Sequence, residues 1–322
     1  MLLAAGCAYG AVWLLAAGQF RAAALDWIEA RAREGYRITY AGLRTGGFPG
    51  DVRLTFSEPM IVGRLADAGW TWSADEATAA AGLFEGRRVT VHAPGAQRLD
   101  AAAGAQVVRY RGSAAKLEAT AEPARVAVRI ADLRLAPAAG GGGVAVGRIE
   151  ATMRGDRAAG GGELALQATG IALPETLDLP FGNAVARLAL TATPRGTLDA
   201  GRWPETLLAW RDAGGVLDIA GFELAYGPLG IAADGTLALD AAAQPIGAFN
   251  ARIVGAAPAV DALRDRGLIA ERAALAVKAL LALVARPPAG GGPPVVEIPL
   301  TLQDRTLYAG PLPLAVVPEV RW

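Results

Sequence analysis

The sequence lacks most of the residues with which proteins carry out chemistry. It has a single cysteine, Cys7, and a single histidine, His92, among 322 residues. One cysteine excludes an intramolecular disulfide and a cysteine-based metal site. Catalysis by a serine–histidine or cysteine–histidine pair would depend on these two residues alone. His92 alternates with Thr90 in a strand-like segment, where a solvent-facing position is the simplest interpretation. We therefore predict no catalytic residue, no cofactor, no metal and no enzymatic activity.

Net charge and aromatic residues are also scarce. The 31 Lys and Arg residues balance 31 Asp and Glu residues, so the chain has no basic field for nucleic acid. Aromatic residues are 6% of the chain, too few for a base-stacking platform. Glycine runs at 140–143, 160–162 and 290–292 lack the Gly-Lys-Ser/Thr and G-x-G-x-x-G patterns of nucleotide loops. We interpret them as hairpin loops and expect no nucleic-acid partner.

Residues 1–20 carry no charged side chain. As a helix this segment would span about 30 Å, the thickness of a bilayer core. We interpret it as a retained membrane anchor. Its larger apolar side chains are those of Leu2, Leu3, Val12, Trp13, Leu14 and Leu15. Three alternatives stay open: a cleaved signal peptide with small residues at 16–18, a lipoprotein signal ending at Cys7, and a buried core helix.

Residues 21–35 continue the helical pattern, and Gly35 ends it. We expect this helix to lie at the membrane interface. The expected location is the bacterial inner membrane, with a single pass and the body, residues 36–322, in the periplasm. The body is open to division into two sub-halves that meet near residues 175–215. No basic segment precedes the anchor, so its orientation and the true start codon stay open.

After Gly35 the apolar residues repeat every second position, which is typical of strands. Short strands are predicted at 36–40, 51–56, 69–72, 87–92 and 106–112. Four later segments then share the pattern apolar-x-apolar-x-x-apolar-x-apolar; they are 126–135, 144–153, 164–173 and 217–226. The one-residue slip would turn the apolar set to the other face unless a β-bulge absorbs it and bends the strand. Eight shorter strands joined by tight turns are the alternative.

The predicted fold is mainly β, a β-rich α+β protein. We expect a strongly curved, largely antiparallel meander sheet with bulged strands, an N-terminal membrane helix, and one or two C-terminal packing helices. Helices are predicted at 204–212, 258–267 and 269–287. The last has an apolar stripe of Leu275, Leu280, Leu281 and Val284 and is expected to pack on the sheet or plug its open end. The candidate apolar face of the sheet consists of Leu164, Leu166, Leu217, Ile219, Leu229, Ile231, Leu237 and Leu239.

The turn Gly47-Phe48-Pro49 is not a phosphate loop, because no helix or lysine follows it and proline removes an amide donor. It is followed by Glu58-Pro59, GWTW at 69–72, GPLGIAADGTLALD at 227–240, QPIGAFNARIVG at 244–255 and DRTLYAGPLPLAVVP at 304–318. In this order the motifs resemble the bacterial family numbered 2125 among domains of unknown function, found mainly in alphaproteobacteria. The sequence departs from the expected pattern at Gly50 and Arg305.

The C-terminal half also resembles AsmA-type envelope proteins, whose anchored, repetitive sheets are similar to lipid-conducting grooves. This resemblance implies a curved sheet with an apolar concave face. Two functions are therefore considered. The first is a non-catalytic envelope protein whose sheet holds or passes lipid or another apolar ligand. The second is a structural or adaptor protein of the envelope with a closed apolar core. The expected partners are the membrane, lipid and other envelope proteins, and the oligomeric state is left open.

Overall fold

The computed structural model describes most of the chain, namely residues 2–65, 68–84, 88–103, 108–122, 124–137, 142–155, 162–196, 205–286 and 292–320. The side chains of residues 2–8, 65, 68, 96, 102–103 and 108–116 are outside this description. Most residues of the three glycine runs also lie outside it, as do residues 106–107 of a predicted strand and the ends, 204 and 287, of two predicted helices.

The described residues form four helices and eighteen strands. The helices are α1 (Leu2–Arg33), α2 (Glu205–Asp212), α3 (Ala256–Asp265) and α4 (Glu271–Val284). The first nine strands are β1 (Arg37–Thr39), β2 (Gly42–Gly46), β3 (Val52–Ser57), β4 (Met60–Leu65), β5 (Ala68–Ala74), β6 (Glu76–Ala81), β7 (Val89–Ala103), β8 (Val108–Glu122) and β9 (Arg125–Pro137). The others are β10 (Val144–Arg154), β11 (Glu163–Ala172), β12 (Ala184–Arg195), β13 (Val216–Tyr226), β14 (Leu229–Leu239), β15 (Pro245–Val254), β16 (Val295–Gln303), β17 (Thr306–Ala309) and β18 (Leu312–Val316).

The strands form one antiparallel meander, which confirms the predicted β-rich, antiparallel class. From β7 to β18 each strand pairs with the next one along the chain. Earlier in the chain, two consecutive strands together act as one long strand with a corner. This holds for β1 and β2, for β3 and β4, and for β5 and β6, because the register with the neighbouring long strand is the same on both sides of the corner. Hydrogen bonds from Glu58 N to Asp75 O and from Ala74 N to Pro59 O carry the pairing through it.

In each long strand from β1 to β12, the alternation of apolar residues shifts by one position. These shifts occur at positions that lie opposite one another in neighbouring strands. The positions that are level with one another, here called the bulge line, include Glu58, Gly95, Asp132, Gly147, Gly170 and Ala186. Four of them, Glu58, Gly95, Asp132 and Gly170, have positive φ. Because neighbouring strands slip together, the register of β9, β10 and β11 is kept across the line. Each strand is therefore continuous, although odd-numbered residues point to a given face on one side of the bulge line and even-numbered residues point to it on the other side.

This arrangement answers the question raised by the four slipped segments. Each of them forms a single strand, β9, β10, β11 and β13, and not two short strands with a turn. The slips of the first three lie on the bulge line. In β13 the slip is a register shift between Ile219 and Phe222, which stands several residues away from the level of Ala186. The alternative of eight shorter strands is therefore wrong.

One side of the sheet, here called the ionic face, is covered by ion pairs between neighbouring strands. The nitrogen–oxygen distances are between 2.7 and 3.8 Å in six of them, Arg129–Glu118, Arg129–Glu150, Arg154–Glu163, Arg187–Glu223, Arg195–Asp218 and Arg252–Asp234. Exposed pairs of this kind contribute about 0 to 1 kcal/mol each. They favour this strand pairing because opposite charges face each other across neighbouring strands. They also mark the side of the sheet that faces water.

Helix α1 corrects the prediction of a membrane anchor. Trp13 and Ala17 are buried against Val52 of β3, whereas Val12, Leu14 and Leu15 are exposed. The side chains of Leu2 and Leu3 lie outside the described part.

Among the described residues, no helix combines the length and the hydropathy that a membrane span requires. The predicted single-pass location in the inner membrane, with a periplasmic body, is therefore wrong. The helix is also continuous through the predicted boundary between an anchor, residues 1–20, and an interfacial helix, residues 21–35, because α1 runs unbroken to Arg33.

Helices α3 and α4 form a hairpin after β15. Lys278 of α4 donates to both carboxylate oxygens of Asp261 in α3, at 3.0 and 2.9 Å, and this hydrogen bonding lowers the pKa of Asp261. Only a narrow side of α4 is buried, at Ala274. The predicted packing stripe is mostly uncovered: Leu275, Leu280 and Val284 are exposed and Leu281 is half-buried. The helix exists as predicted, but its leucines do not plug the sheet.

Candidate functional site: the apolar face of the sheet

The side of the sheet opposite the ionic face, here called the apolar face, carries a continuous row of apolar residues. The row crosses ten neighbouring strands, β7 to β16, and each member lies directly opposite the next. It consists of Ala93, Leu117, Ile130, Ile149, Ala168, Leu188, Leu224, Ile231, Ile253 and Val296. With about 4.8 Å between strands, this row is about 43 Å long. Parallel rows lie on both sides of it.

The eight residues that the sequence predicted for this face all lie on it. Leu166 is directly opposite Leu190, and Leu217 is opposite Leu237. The others follow from the alternation along β11, β13 and β14; they are Leu164, Ile219, Leu229, Ile231 and Leu239. Leu239 is buried, Leu164 is 38% exposed, and the other six are half-buried. Their placement rests on the register, which no sequence pattern contains.

Between β9 and β16, most of the apolar face belongs to no cluster of buried residues in the described part. The clusters of buried apolar residues in the described part lie at its borders. One is under α1, at Trp13 and Val52, and one is beside the bulge line, at Ala74, Ala77 and Ala93. The third is under α2, where Leu207 and Trp210 cover Leu239 and contact Leu217. The indole of Trp210 holds α2 there by donating to the carbonyl of Arg195 at 2.8 Å.

The total accessible surface of the chain is large for its mass. The chain of 32.9 kDa exposes 19617 Å². A compact monomer of this mass would expose about 12,500 Å². The largest fully buried side chains among the described residues are those of Leu54 and Val52, both in β3, which is not one of the strands of the long row. The leucines and isoleucines of the row are half-buried, and Ala93, Ala168 and Val296 are buried.

Charged groups are placed away from this face. Between β9 and β17 its described residues include no charged side chain, apart from Asp132 on the bulge line itself. His92 lies on the ionic face, opposite Thr78 and Glu118. Within the described residues no group of three or more His, Cys, Asp or Glu side chains could hold a metal ion. The face therefore offers dispersion and burial to a ligand and little electrostatic attraction.

Two polar residues of the apolar face were not found from the sequence. Trp72 of β5 lies opposite Leu99, and Gln97 of β7 lies opposite Ala74, so both side chains belong to this face. Gln97 is 4% exposed and is the one polar or charged side chain that the described part buries. The alternation of GWTW predicted a strand, but nothing in the sequence indicated that Gln97 points inward, since the bulge at Gly95 reverses the phase of β7.

The marker turn Gly47-Phe48-Pro49 contacts helix α1. The ring of Phe48 lies 5.6 Å from that of Trp13 and 6.1 Å from that of Tyr9, between ring centroids. The indole of Trp13 donates to the carbonyl of Gly50 at 2.9 Å, and the hydroxyl of Tyr9 donates to the carbonyl of Pro49. Phe48 itself is 57% exposed. The turn therefore holds a helix against β3 and does not border the long apolar row.

Comparison with known proteins gives a family and no activity. No curated protein and no solved structure matches the chain significantly. The model of domain of unknown function 2125, described as "Uncharacterized protein conserved in bacteria", matches residues 13–318. This range includes the marker turn, the bulge line and the whole apolar face. The chain therefore belongs to this bacterial family of uncharacterised proteins.

Proposed function

We propose that the protein is a non-catalytic binding module that holds a long apolar ligand, such as an acyl chain, on the apolar face. The observation that carries the proposal is the row of ten opposed apolar residues from Ala93 to Val296, most of which belong to no buried cluster of the described residues. Monomeric proteins rarely leave contiguous apolar patches of more than a few hundred Å² uncovered, and larger ones are typical of binding grooves and interfaces.

The bulge line supports a groove shape for this face. Each bulge bends its strand and increases the local twist. Bulges that are level across neighbouring strands bend the sheet as a whole. The small residues Ala74, Ala77 and Ala93 are buried beside the line on the apolar side, which fits a bend that closes toward that side. A curved sheet with an apolar concave face was also what the resemblance to AsmA-type proteins implied.

The border elements support a ligand that lies within the face. Helix α2 covers one end of β13 and β14 through Leu207 and Trp210. The α3–α4 hairpin follows the opposite end of β15, and Arg266 just after α3 pairs with Asp178 in the connection between β11 and β12. The ionic face on the other side of the sheet carries the cross-strand ion pairs, such as Arg129–Glu150 and Arg187–Glu223. An apolar ligand would gain about 25 cal/mol per Å² of apolar surface removed from water.

The test is binding of a fluorescent acyl probe to the full chain after lipid has been removed. Leu166→Glu places a carboxylate on the apolar face, where ligand binding would strip its water, so we expect at least a ten-fold loss of affinity. Ala165→Glu is the matched control, because Ala165 is the neighbouring residue on the ionic face, opposite Thr152 and Thr191. It should stay within about two-fold of the wild type in the same titration.

Native mass spectrometry of protein purified without detergent supplies the second measurement. A bound lipid-sized mass is expected on the wild type and on Ala165→Glu, and not on Leu166→Glu. A wild-type protein that carries no such mass and binds no acyl probe would contradict the proposal. Equal loss of binding in both variants would also count against it, because the effect would then come from damage to the fold and not from the face.

A second candidate function, an adaptor that binds another protein by strand addition, rests on β18. All five residues of this strand are exposed, including Leu312, Leu314 and Val316, and no described strand pairs with its outer edge. An exposed apolar edge is a template for strand pairing.

For this candidate, affinity isolation after cross-linking should recover a stable partner with the wild type. The partner should be lost with Leu314→Lys, because a charged edge strand blocks pairing. It should be kept with Leu283→Lys, a control at an equally apolar and more exposed position of α4. Recovery that is unchanged by Leu314→Lys would contradict the adaptor function.

A further inference from the structure

Among the described residues of the apolar face, two polar side-chain atoms are buried without a hydrogen-bond partner. These atoms are Nε1 of Trp72 and Oε1 of Gln97. Trp72 is opposite Leu99 and Gln97 is opposite Ala74 in the pairing of β5 with β7, so the two side chains are diagonal neighbours on the same face. Buried polar groups in native proteins are nearly always paired, and each exception calls for an explanation.

The orientation of the Gln97 amide follows from its own contacts. Its Nε2 donates to the carbonyl of Ala93 at 2.7 Å and to the carbonyl of Gly95 at 2.9 Å. A flipped amide would place its oxygen against two carbonyl oxygens, which is unfavourable. Oε1 must therefore accept from elsewhere, while the indole N–H of Trp72 must donate. Trp72 packs on the cluster of Ala74, Ala77 and Ala93, whose last member provides a carbonyl to Gln97.

The two unpaired groups are one hydrogen-bond donor, Nε1 of Trp72, and one acceptor, Oε1 of Gln97. A group that satisfies both must accept one hydrogen bond and donate another. A neutral hydroxyl does this, whereas a carboxylate and an ether only accept and would leave Oε1 of Gln97 unpaired. The surroundings are apolar and contain alanines, Leu117 and Leu99, so a charged group would also lose its hydration there.

We propose that Trp72 and Gln97 form a polar subsite of the apolar face, which binds the neutral hydroxyl group at the end of a long apolar ligand. The inference rests on the proposed function and names the ligand class as uncharged long-chain alcohols and hydroxyl-bearing lipids. The subsite lies beside Gly95 on the bulge line, at one end of the long row, and the chain of the ligand extends from there across β8 and β9.

The test compares three probes with the same ten-carbon chain: 1-decanol, 1-methoxydecane and decanoate. Titration calorimetry is carried out on the full chain after lipid removal. The wild type should bind decanol about ten-fold more tightly than the ether or the carboxylate, since only decanol satisfies both groups, and an unpaired buried group reduces affinity by about this factor.

Trp72→Phe removes the indole donor and keeps an aromatic ring, so the preference for decanol should fall to about two-fold. Trp70→Phe is the matched control, because Trp70 is on the same strand and face, opposite Ala101, and its indole nitrogen is not among the buried atoms that lack a partner. This variant should keep the ten-fold preference. Thermal unfolding of both variants verifies that they fold alike.

The outcomes separate this proposal from the proposed function. If all three probes bind equally well to the wild type, or if Trp72→Phe keeps the preference, the subsite is wrong while the apolar face still binds ligands. If a crystal structure of the decanol complex shows a water molecule between Trp72 and Gln97 and the hydroxyl elsewhere, the site holds ordered water only, and the proposal falls. If none of the probes binds, both proposals fall.

Discussion

Truncation of Leu54 to alanine is expected to lower the free energy of unfolding by about 3 to 5 kcal/mol, the upper range for a fully buried leucine. Leu54 is 0% exposed, and Val52, two residues before it on β3, is buried against Trp13 and Ala17 of α1. The truncation leaves a cavity in the best-packed part of the described residues. Denaturation in urea, followed by circular dichroism on lipid-free protein, measures the loss.

The same truncation at Leu190 supplies the matched comparison. Leu190 lies in the middle of the apolar face, between Leu166 and Phe222; it is half-buried and belongs to none of the buried clusters of the described residues. Its loss should lower the free energy of unfolding by less than about 1.5 kcal/mol, because little transfer energy is involved and no closed cavity forms. Equal losses for Leu54→Ala and Leu190→Ala would mean that the apolar face is a filled core, and the binding function would lose its basis.

Replacement of Gly255 by alanine is expected to lower the free energy of unfolding by about 3 kcal/mol. Gly255 joins β15 to the α3–α4 hairpin with φ of +75°, a conformation that disfavours residues with a Cβ atom. A Cβ there would stand 1.8 Å from the carbonyl oxygen of Pro228, so the backbone must also shift. The two effects add, at about 1 to 3 kcal/mol each.

Gly267, between α3 and α4, allows the two effects to be separated. Its φ is +70°, close to that of Gly255, but a Cβ would meet no atom within 4 Å. Gly267→Ala should therefore show the backbone penalty alone, about 1 kcal/mol. Thermal unfolding of the two variants beside the wild type measures the difference. If the two alanines have the same effect, the close approach of Gly255 to Pro228 has no energetic weight.

The comparison of sequence with structure is most informative at the bulge line. The slipped pattern in β9, β10 and β11 was readable because Val, Ile and Leu alternate there without interruption. The same slip in β5, β6 and β7 was not recognised, because it passes through Ala74, Ala77 and Ala93, and alanine does not distinguish inside from outside. That these slips stand level with one another depends on register, which a local pattern does not contain.

The positions of the helices were predicted well, but the surfaces against which they pack were not. The apolar stripe of α4 was correctly assigned to a helix, yet it remains uncovered because only Ala274 is buried. In α1, an uncharged sequence was read as a membrane segment, whereas Trp13 and Ala17 serve as contacts to β3. An apolar side chain in the sequence indicates that it will be buried, but it does not indicate which surface will cover it. Lipid, a sheet and a partner protein all remove it from water in the same way.

The sequence by itself determined the class of this protein: a β-rich, antiparallel chain of a bacterial family of unknown function, with alternating strands and one-sided apolar residues. These properties are local, since strand period, turn residues and motif order act within a few positions. Only the tertiary structure decided that the slips form one line and that α1 packs on β3. It also decided that most of the apolar row lies outside the buried clusters of the described residues, and that Trp72 and Gln97 are diagonal neighbours on the apolar face. These properties require residues far apart in the chain to be placed against each other, which depends on strand register and packing.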